Sequence, residues 1–327
     1  MKPSQSMPWH AIIWRQWQQQ IQERRLPHAL LLTGLSGLGK RTLGRALAYF
    51  VLCSNHQGLQ ACGKCRSCRF IESGFHPDLH ILEPEAEGKA IRVDQVREMT
   101  TQVQKSAQLG GYKVVIIWPA EALNINAANA LLKTLEEPEP LTQFILVSDQ
   151  PSSLPATLRS RCQIWSVKPP SLEQGKAWLK PQLSHEQNPE MLLKAAGGRP
   201  LHALKLATPA AEERRYLLTQ VMEALVRGAD PIEQASKLKT FPLSALLTSL
   251  QRWLADSLRF GVLGEMGVQD SRQLPLYRQL FQRLGQYGIL HLEQELQGMH
   301  AKLNTNPNVD LFLENLMIKL MQELSHE

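Results

Sequence analysis

The sequence predicts an α/β domain built on a parallel sheet with a phosphate loop, followed by chain that is helical throughout. Three observations carry this. Short apolar runs alternate with helical patterns as far as about residue 168. A glycine-rich loop ending in lysine closes the first of those runs, and past Pro169-Pro170 the strand pattern stops. A length of 327 residues is more than one domain usually needs. The hydrophobic share of 43% and charged share of 20% are those of a folded globular chain and argue against disorder. The net charge of +6 is spread along the chain, so composition alone does not call for nucleic acid. The opening from Met1 to Trp14 lacks a continuous apolar segment, and no stretch approaches a membrane span. A cytoplasmic protein with no membrane partner is therefore expected, in which the five cysteines are metal ligands or free thiols and not disulfides.

Trp9, Trp14 and Trp17 have the spacing of a helix packed against the α/β domain. The strand signals are His28–Thr33, Leu79–Leu82, Lys113–Trp118, Gln143–Ser148 and Cys162–Val167. Each is a short apolar run bounded by Gly, Pro or polar clusters. Residues 171 to about 207 read as a small helical unit, with a Gly197-Gly198-Arg199-Pro200 turn before Leu201–Leu206. From about 209 to 324 the spacing is that of amphipathic helices. Leu243, Leu246, Leu247, Leu250, Leu254 and Leu258 fall three or four apart on one face. The expected domains are 1–168, an α/β domain carrying a cysteine module at about 53–68; 169–207, a helical lid; and 208–327, a helical bundle.

After the first strand comes Gly34-Leu35-Ser36-Gly37-Leu38-Gly39-Lys40-Arg41-Thr42, leading into a helix. Gly34, Gly37 and Gly39 would let backbone N–H groups close on phosphate oxygens at the helix N-terminus, with Lys40 adding charge. A working loop follows its lysine with Ser or Thr, whose hydroxyl ligates Mg²⁺. Here that place holds Arg41, which repels a divalent cation, and Thr42 lies about 100° further round the helix. The strand expected to end in an acidic metal ligand ends in Trp118-Pro119, neither of which can bind metal; Glu121 lies two residues past the expected glutamate position. ATP is expected to bind weakly or not at all.

Cys53, Cys62, Cys65 and Cys68 place four thiols in one short insertion, with Gly58 and Gly63 available for tight turns. These spacings suit a closed tetrahedral Zn²⁺ site of structural type. Lys64, Arg66 and Arg69 surround it, where they either offset thiolate charge or approach DNA. His56 and His76 read as surface or structural residues, and Cys162 as a buried small residue.

Around the loop stand Gly110–Val115, Asn129–Pro138, and Leu154–Cys162 ending in Ser160-Arg161-Cys162. Together with the cysteine cluster these segments resemble the AAA+ clamp-loader family, and within it the delta-prime type of subunit from bacterial DNA polymerase III. The motifs are specific in combination over residues 28–168; the helical remainder agrees in length and in its late Asn306-Pro307, less specifically. The resemblance implies that Arg161 is an arginine finger acting in trans on nucleotide bound by a neighbour, framed by Ser160 and Cys162. It implies gamma or tau motor subunits and delta as partners, with the sliding clamp and primer-template DNA as indirect ones. It also makes 208–327 an oligomerising collar, and places Leu201 where AAA+ motors carry a sensing arginine. Glu136 and Glu137 read as a helix-end interface surface, since no nucleophile or His accompanies them. The function implied is that of a non-motor clamp-loader subunit in DNA replication. Two rivals are an active clamp-loader ATPase with an atypical metal site, and a stand-alone zinc-dependent nucleic-acid binding module.

Overall fold

The computed structural model describes residues 6–23, 25–56, 61–86, 88–303 and 307–325. The calls on Gly58 and Asn306 lie outside them. The chain divides into two compact units, residues 1–178 with 199–202, and residues 179–198 with 203–327.

In the first unit the strands are β1 (Ala29–Thr33), β2 (Leu79–Leu82), β3 (Lys113–Ile117), β4 (Thr142–Val147) and β5 (Gln163–Ser166). They form one sheet in the order β2-β3-β4-β1-β5, parallel throughout. Register is fixed by pairings such as Ala29 with Phe144, Leu30 with Gln163 and Lys113 with Thr142. Side chains alternate across the sheet with period two. Leu30, Leu32, Val114, Ile116, Ile145 and Val147 therefore enter one core, and Leu31, Val115, Ile117, Phe144 and Leu146 the other. A sheet buried on both faces needs the near-continuous apolar strands seen in the sequence. The edge strand β5 is different: only Trp165 is buried in it.

The helices of this unit are α1 (Ala11–Gln22), α2 (Lys40–Leu52), α3 (Arg66–Glu72), α4 (Val93–Val103), α5 (Ile125–Glu136) and α6 (Ala156–Arg159). Trp14 and Trp17 of α1 are buried and meet Phe50 and Trp165 edge-on at 5.6 and 5.7 Å. The first core lies between the sheet and α1 with α2; the second takes Val96 and Met99 of α4 and Leu131 of α5. Beyond β5 come α7 (Leu172–Leu179), α8 (Pro189–Ala195) and α9 (Pro200–Leu206).

The second unit is helical apart from its turns. Its long elements are α10 (Pro209–Val226), α11 (Pro231–Lys237), α12 (Leu243–Leu263), α13 (Leu274–Lys302) and α14 (Val309–Ser325). Leu246, Leu247, Leu250 and Leu254 of α12 share one core with Leu280 of α13 and Leu313, Leu316 and Leu320 of α14. Helix α13 is interrupted at Gly285, whose φ of 60° takes it out of the helical region. Buried Asp256 accepts the N–H groups of Gln269 and Asp270 at 3.1 and 3.0 Å and so ties down the turn after α12. No described helix is long and apolar enough to cross a membrane.

Gly34 joins β1 to the phosphate loop at a φ of +139°, and a Cβ there would lie 2.5 Å from the Val167 carbonyl oxygen. Neither the backbone angle nor the fixed carbonyl can accommodate a side chain cheaply. Gly34→Ala is expected to cost roughly 2–4 kcal/mol of stability, measured by chemical denaturation against the unaltered chain.

Candidate functional site

Parallel sheets carry their sites at the carboxyl ends of the strands, and the loop after β1 is there. Helix α2 opens at Lys40, with Gly39 in the left-handed conformation (φ 78°) just before it. A Cβ on Gly39 would meet Met7 Sδ at 2.5 Å and His10 Cε1 at 3.3 Å, so the N-terminal segment closes directly on the loop. Trp9 Nε1 donates to the Leu38 carbonyl at 2.9 Å, and buried His10 bonds the same oxygen through Nε2 at 2.8 Å.

Lys40 is turned inward and is 4% exposed. Its Nζ donates to the carbonyls of Gly34 and Leu35 at 2.7 and 2.8 Å, and ion-pairs with Asp149 Oδ1 at 2.5 Å. Asp149 follows β4, and its own N–H donates to Glu121 Oε1 at 3.0 Å. Glu121 is thus brought beside the loop, as a hydrogen-bond acceptor for Asp149. Arg41 points to Glu83 at 2.5 Å and its guanidinium lies 4.2 Å from the centre of the Trp118 ring. The residues at the two expected metal positions therefore stack on each other as a cation and an aromatic face, an arrangement with no oxygen ligand for Mg²⁺ from either side chain.

Arg199, in the Gly197–Pro200 turn, also lies beside the loop. A Cβ on Gly37 would lie 3.5 Å from Arg199 Cβ, and the N–H of Leu201 donates to the Gly37 carbonyl at 3.2 Å. Burial lowers the pKa of the Arg199 guanidinium and the charge of Asp149 pulls it back. Leu201 touches the loop through its backbone, and the arginine beside the loop stands two residues earlier.

Arg161 follows α6 in a tight turn closed by Arg161 N–H to Leu158 O at 3.2 Å and Cys162 N–H to Arg159 O at 3.2 Å. Its guanidinium donates to Thr157 O at 2.8 Å and forms an ion pair with Glu136 at the end of α5. Ser160 Oγ donates to the Thr157 carbonyl at 3.0 Å. Cys162 differs from the expectation of full burial: it is half-buried against the second core, where desolvation pushes its thiol up to about 12.

The sulfur atoms of Cys53, Cys62, Cys65 and Cys68 lie within 4.8 Å of one another. Cys53 caps the end of α2 and Cys65 the start of α3, so two helix ends are brought to one point. Sulfur separations of 3.9 Å for Cys53–Cys65 and Cys62–Cys68 match the edge of about 3.8 Å that a tetrahedron with ~2.3 Å zinc–sulfur bonds requires. Backbone N–H groups of Cys62, Lys64, Cys65 and Cys68 point at the sulfurs at 3.2 to 3.4 Å, as suits thiolates. Burial works against ionisation of Cys65, but bonds from Ser54 and Cys68 outweigh it and hold that thiol at about 5; Cys68 is driven up by burial and by its bond with Cys65. Four thiolates cannot share such a space without a cation, and the residues present fit one. His56 is engaged elsewhere, with Phe50 O at 2.6 Å, and buried His76 with Ser67 Oγ at 2.6 Å. Gly63 takes a φ of 68° between the second and third cysteines.

Sheet order, loop and the Ser-Arg-Cys turn define an AAA+ type of phosphate-loop protein in which the metal positions of the loop have been replaced. A family model described as DNA polymerase III, delta subunit, matches residues 9–171, and its C-terminal counterpart matches residues 209–322. DNA polymerase III subunit delta' of Pseudomonas aeruginosa is 36% identical over 322 residues, 95% of this chain and 96% of that one. The delta' subunit of Escherichia coli K12 is 38% identical over 71% of this chain and 70% of its own. Subunit tau of the same organism is 34% identical over 63% of this chain but only 33% of tau. The chain belongs to the delta-prime subunit family of DNA polymerase III.

His10 provides a pH test of the loop's closure. Its Nδ1 accepts the Met7 N–H at 3.2 Å, which leaves the proton on Nε2 for Leu38 O. Burial lowers its pKa from 6.5 to about 4 against the raising effect of the Leu38 carbonyl. The folded chain thus binds fewer protons than the unfolded chain below neutrality, so stability falls as pH drops from about 7 to about 4, by up to roughly 3 kcal/mol. His10→Gln, which can make both bonds without titrating, is expected to flatten the slope of unfolding free energy against pH across that window.

Proposed function

We propose that this chain is the non-motor subunit of the DNA polymerase III clamp loader, a stator that supports ATP-dependent loading of the sliding clamp on primed DNA. In this reading it donates Arg161 to nucleotide held by a neighbouring gamma or tau subunit, with delta as a further partner. One contrast supports it above all. The chain's own phosphate-loop lysine is buried against an internal carboxylate and its metal positions hold Arg41 and Trp118, while the arginine of Ser-Arg-Cys is only half-buried and pairs with a half-exposed Glu136. Gly34, Gly37, Gly39 and Lys40 then hold Mg·ATP weakly or not at all, and any hydrolysis belongs to the neighbour.

The proposed division is an AAA+ domain over residues 1–168, a lid over 169–207 and a collar over 208–327. The metal proposed for Cys53, Cys62, Cys65 and Cys68 is Zn²⁺, in a closed structural site. When bound it supplies charge neutralisation for the thiolates. The residues themselves fasten the end of α2 to the start of α3.

Two measurements check this. In the reconstituted complex, Arg161→Ala is expected to slow single-turnover ATP hydrolysis at the adjoining motor site by roughly 10³-fold or more, with this subunit still assembled; an unchanged rate removes the finger. Metal analysis of the purified chain should give about one zinc per chain. Cys68→Ser should lose that zinc and several kcal/mol of stability by thermal melting, and a chelator should reproduce the loss in the unaltered chain only.

A further inference from the structure

A lysine ammonium has three protons to give. Those of Lys40 go to Gly34 O at 2.7 Å, Leu35 O at 2.8 Å and Asp149 Oδ1 at 2.5 Å. The first two acceptors are the loop's own carbonyls; the third is the one anion in contact with the ammonium among the described residues. The lysine side chain is 3% exposed and that of Asp149 is 33% exposed, so the carboxylate closes the pair from the solvent side.

Asp149 is also held in place. Ser148, just before it, donates its N–H to Leu32 O at 2.9 Å and accepts the Gln150 N–H on Oγ at 3.1 Å. The N–H of Asp149 is taken by Glu121. A second cation, Arg199, feels the same carboxylate, which acts against the desolvation of that guanidinium. A fixed oxyanion beside the loop lysine, with a further arginine answering it, is the electrostatic pattern that a nucleotide's terminal phosphate makes in a phosphate loop.

We propose that Asp149 is the resident ligand of this loop: an internal carboxylate taking the part of a terminal phosphate, neutralising Lys40 and excluding nucleotide from the cradle. The proposal rests on the reading that the loop is silent, and goes beyond it in naming the residue responsible. Missing metal ligands alone would leave a cradle able to take a metal-free polyphosphate; an internal anion removes that ability as well. Phosphate can enter only by displacing a carboxylate that stays covalently tethered beside the lysine and so competes intramolecularly with any free anion.

The test uses the full chain, inorganic pyrophosphate as probe and a chelator to keep divalent ions away. Asp149→Asn keeps the shape and removes the charge, leaving Lys40 buried without its counter-ion. It is expected to lower the melting temperature by about 5 °C or more. Millimolar pyrophosphate should restore part of that loss, while the unaltered chain should not respond. Adding Lys40→Met to Asp149→Asn should abolish the response. If Asp149→Asn does not fold, the doubly neutral Lys40→Met/Asp149→Asn chain should still fold, because no buried charge is stranded. Equal responses to pyrophosphate in the unaltered chain and in Asp149→Asn overturn the proposal, as does no response in Asp149→Asn or a double variant no more stable than that single one. Tight binding of Mg·ATP by the unaltered chain would remove the silent-loop reading itself, whereas a failure of Asp149→Asn to gain pyrophosphate binding leaves that reading standing.

Discussion

The position of β1 between β4 and β5 governs everything at the carboxyl edge of the sheet. A central parallel strand brings the chain that follows it up against whatever follows its two neighbours. The loop after β1 therefore meets Asp149 after β4 and the Val167 carbonyl after β5, and β3, one strand further, delivers Trp118 to the side of Arg41. The same topology serves an ATPase or a silent relative. What differs is the identity of a handful of residues that the sheet brings together, and here they satisfy one another: lysine with aspartate, arginine with glutamate and indole.

The fold was legible because its signals are local and redundant. Five apolar runs gave five strands, with boundaries displaced by a residue or two, as with Trp118 falling just past β3. The leucines of α12 marked their helix and its buried face. Of the site, the loop glycines, Lys40 and the four cysteines could be read because spacing along the chain carries their chemistry. Asp149 and Arg199 could not. Each is an unremarkable charge in a turn, and its meaning comes only from contact with Lys40 or Gly37, more than a hundred residues earlier. Glu136 is intermediate: its place at a helix end was visible, its pairing with Arg161 across the turn after α6 was not.

The cysteine cluster shows a second way in which helix ends are used. Cys53 terminates α2, where unsatisfied carbonyls concentrate, and Cys65 begins α3, where its sulfur accepts the Cys68 N–H as a capping oxygen would. The thiols thus have a local structural role even before a metal is considered, and the backbone N–H groups aimed at them favour the ionised form. Ser67 of α3 bonds His76, whose Nδ1 accepts the Asp78 N–H at 3.1 Å, and the two oxygens of Asp78 hold Gln108 and Leu109 at 2.7 and 3.0 Å. Through this chain of bonds the inserted module is continuous with the turn leading into β3.

The two principal ion pairs of the first unit also differ in how easily they can be exchanged, and that difference bears on the functional reading. Lys40 and Asp149 have side chains 3% and 33% exposed, whereas Arg161 and Glu136 are 33% and 48% exposed. A pair in contact with water is worth only about 0–1 kcal/mol, because solvent replaces most of what either partner loses. Breaking a buried pair strands a desolvated charge and costs about 3–5 kcal/mol. Losing Glu136 therefore costs Arg161 little, whereas losing Asp149 with nothing in its place strands a desolvated Lys40. Of the two cations, the half-buried Arg161 is the one whose partner is less costly to lose, and the fully buried Lys40 the one whose partner is more costly.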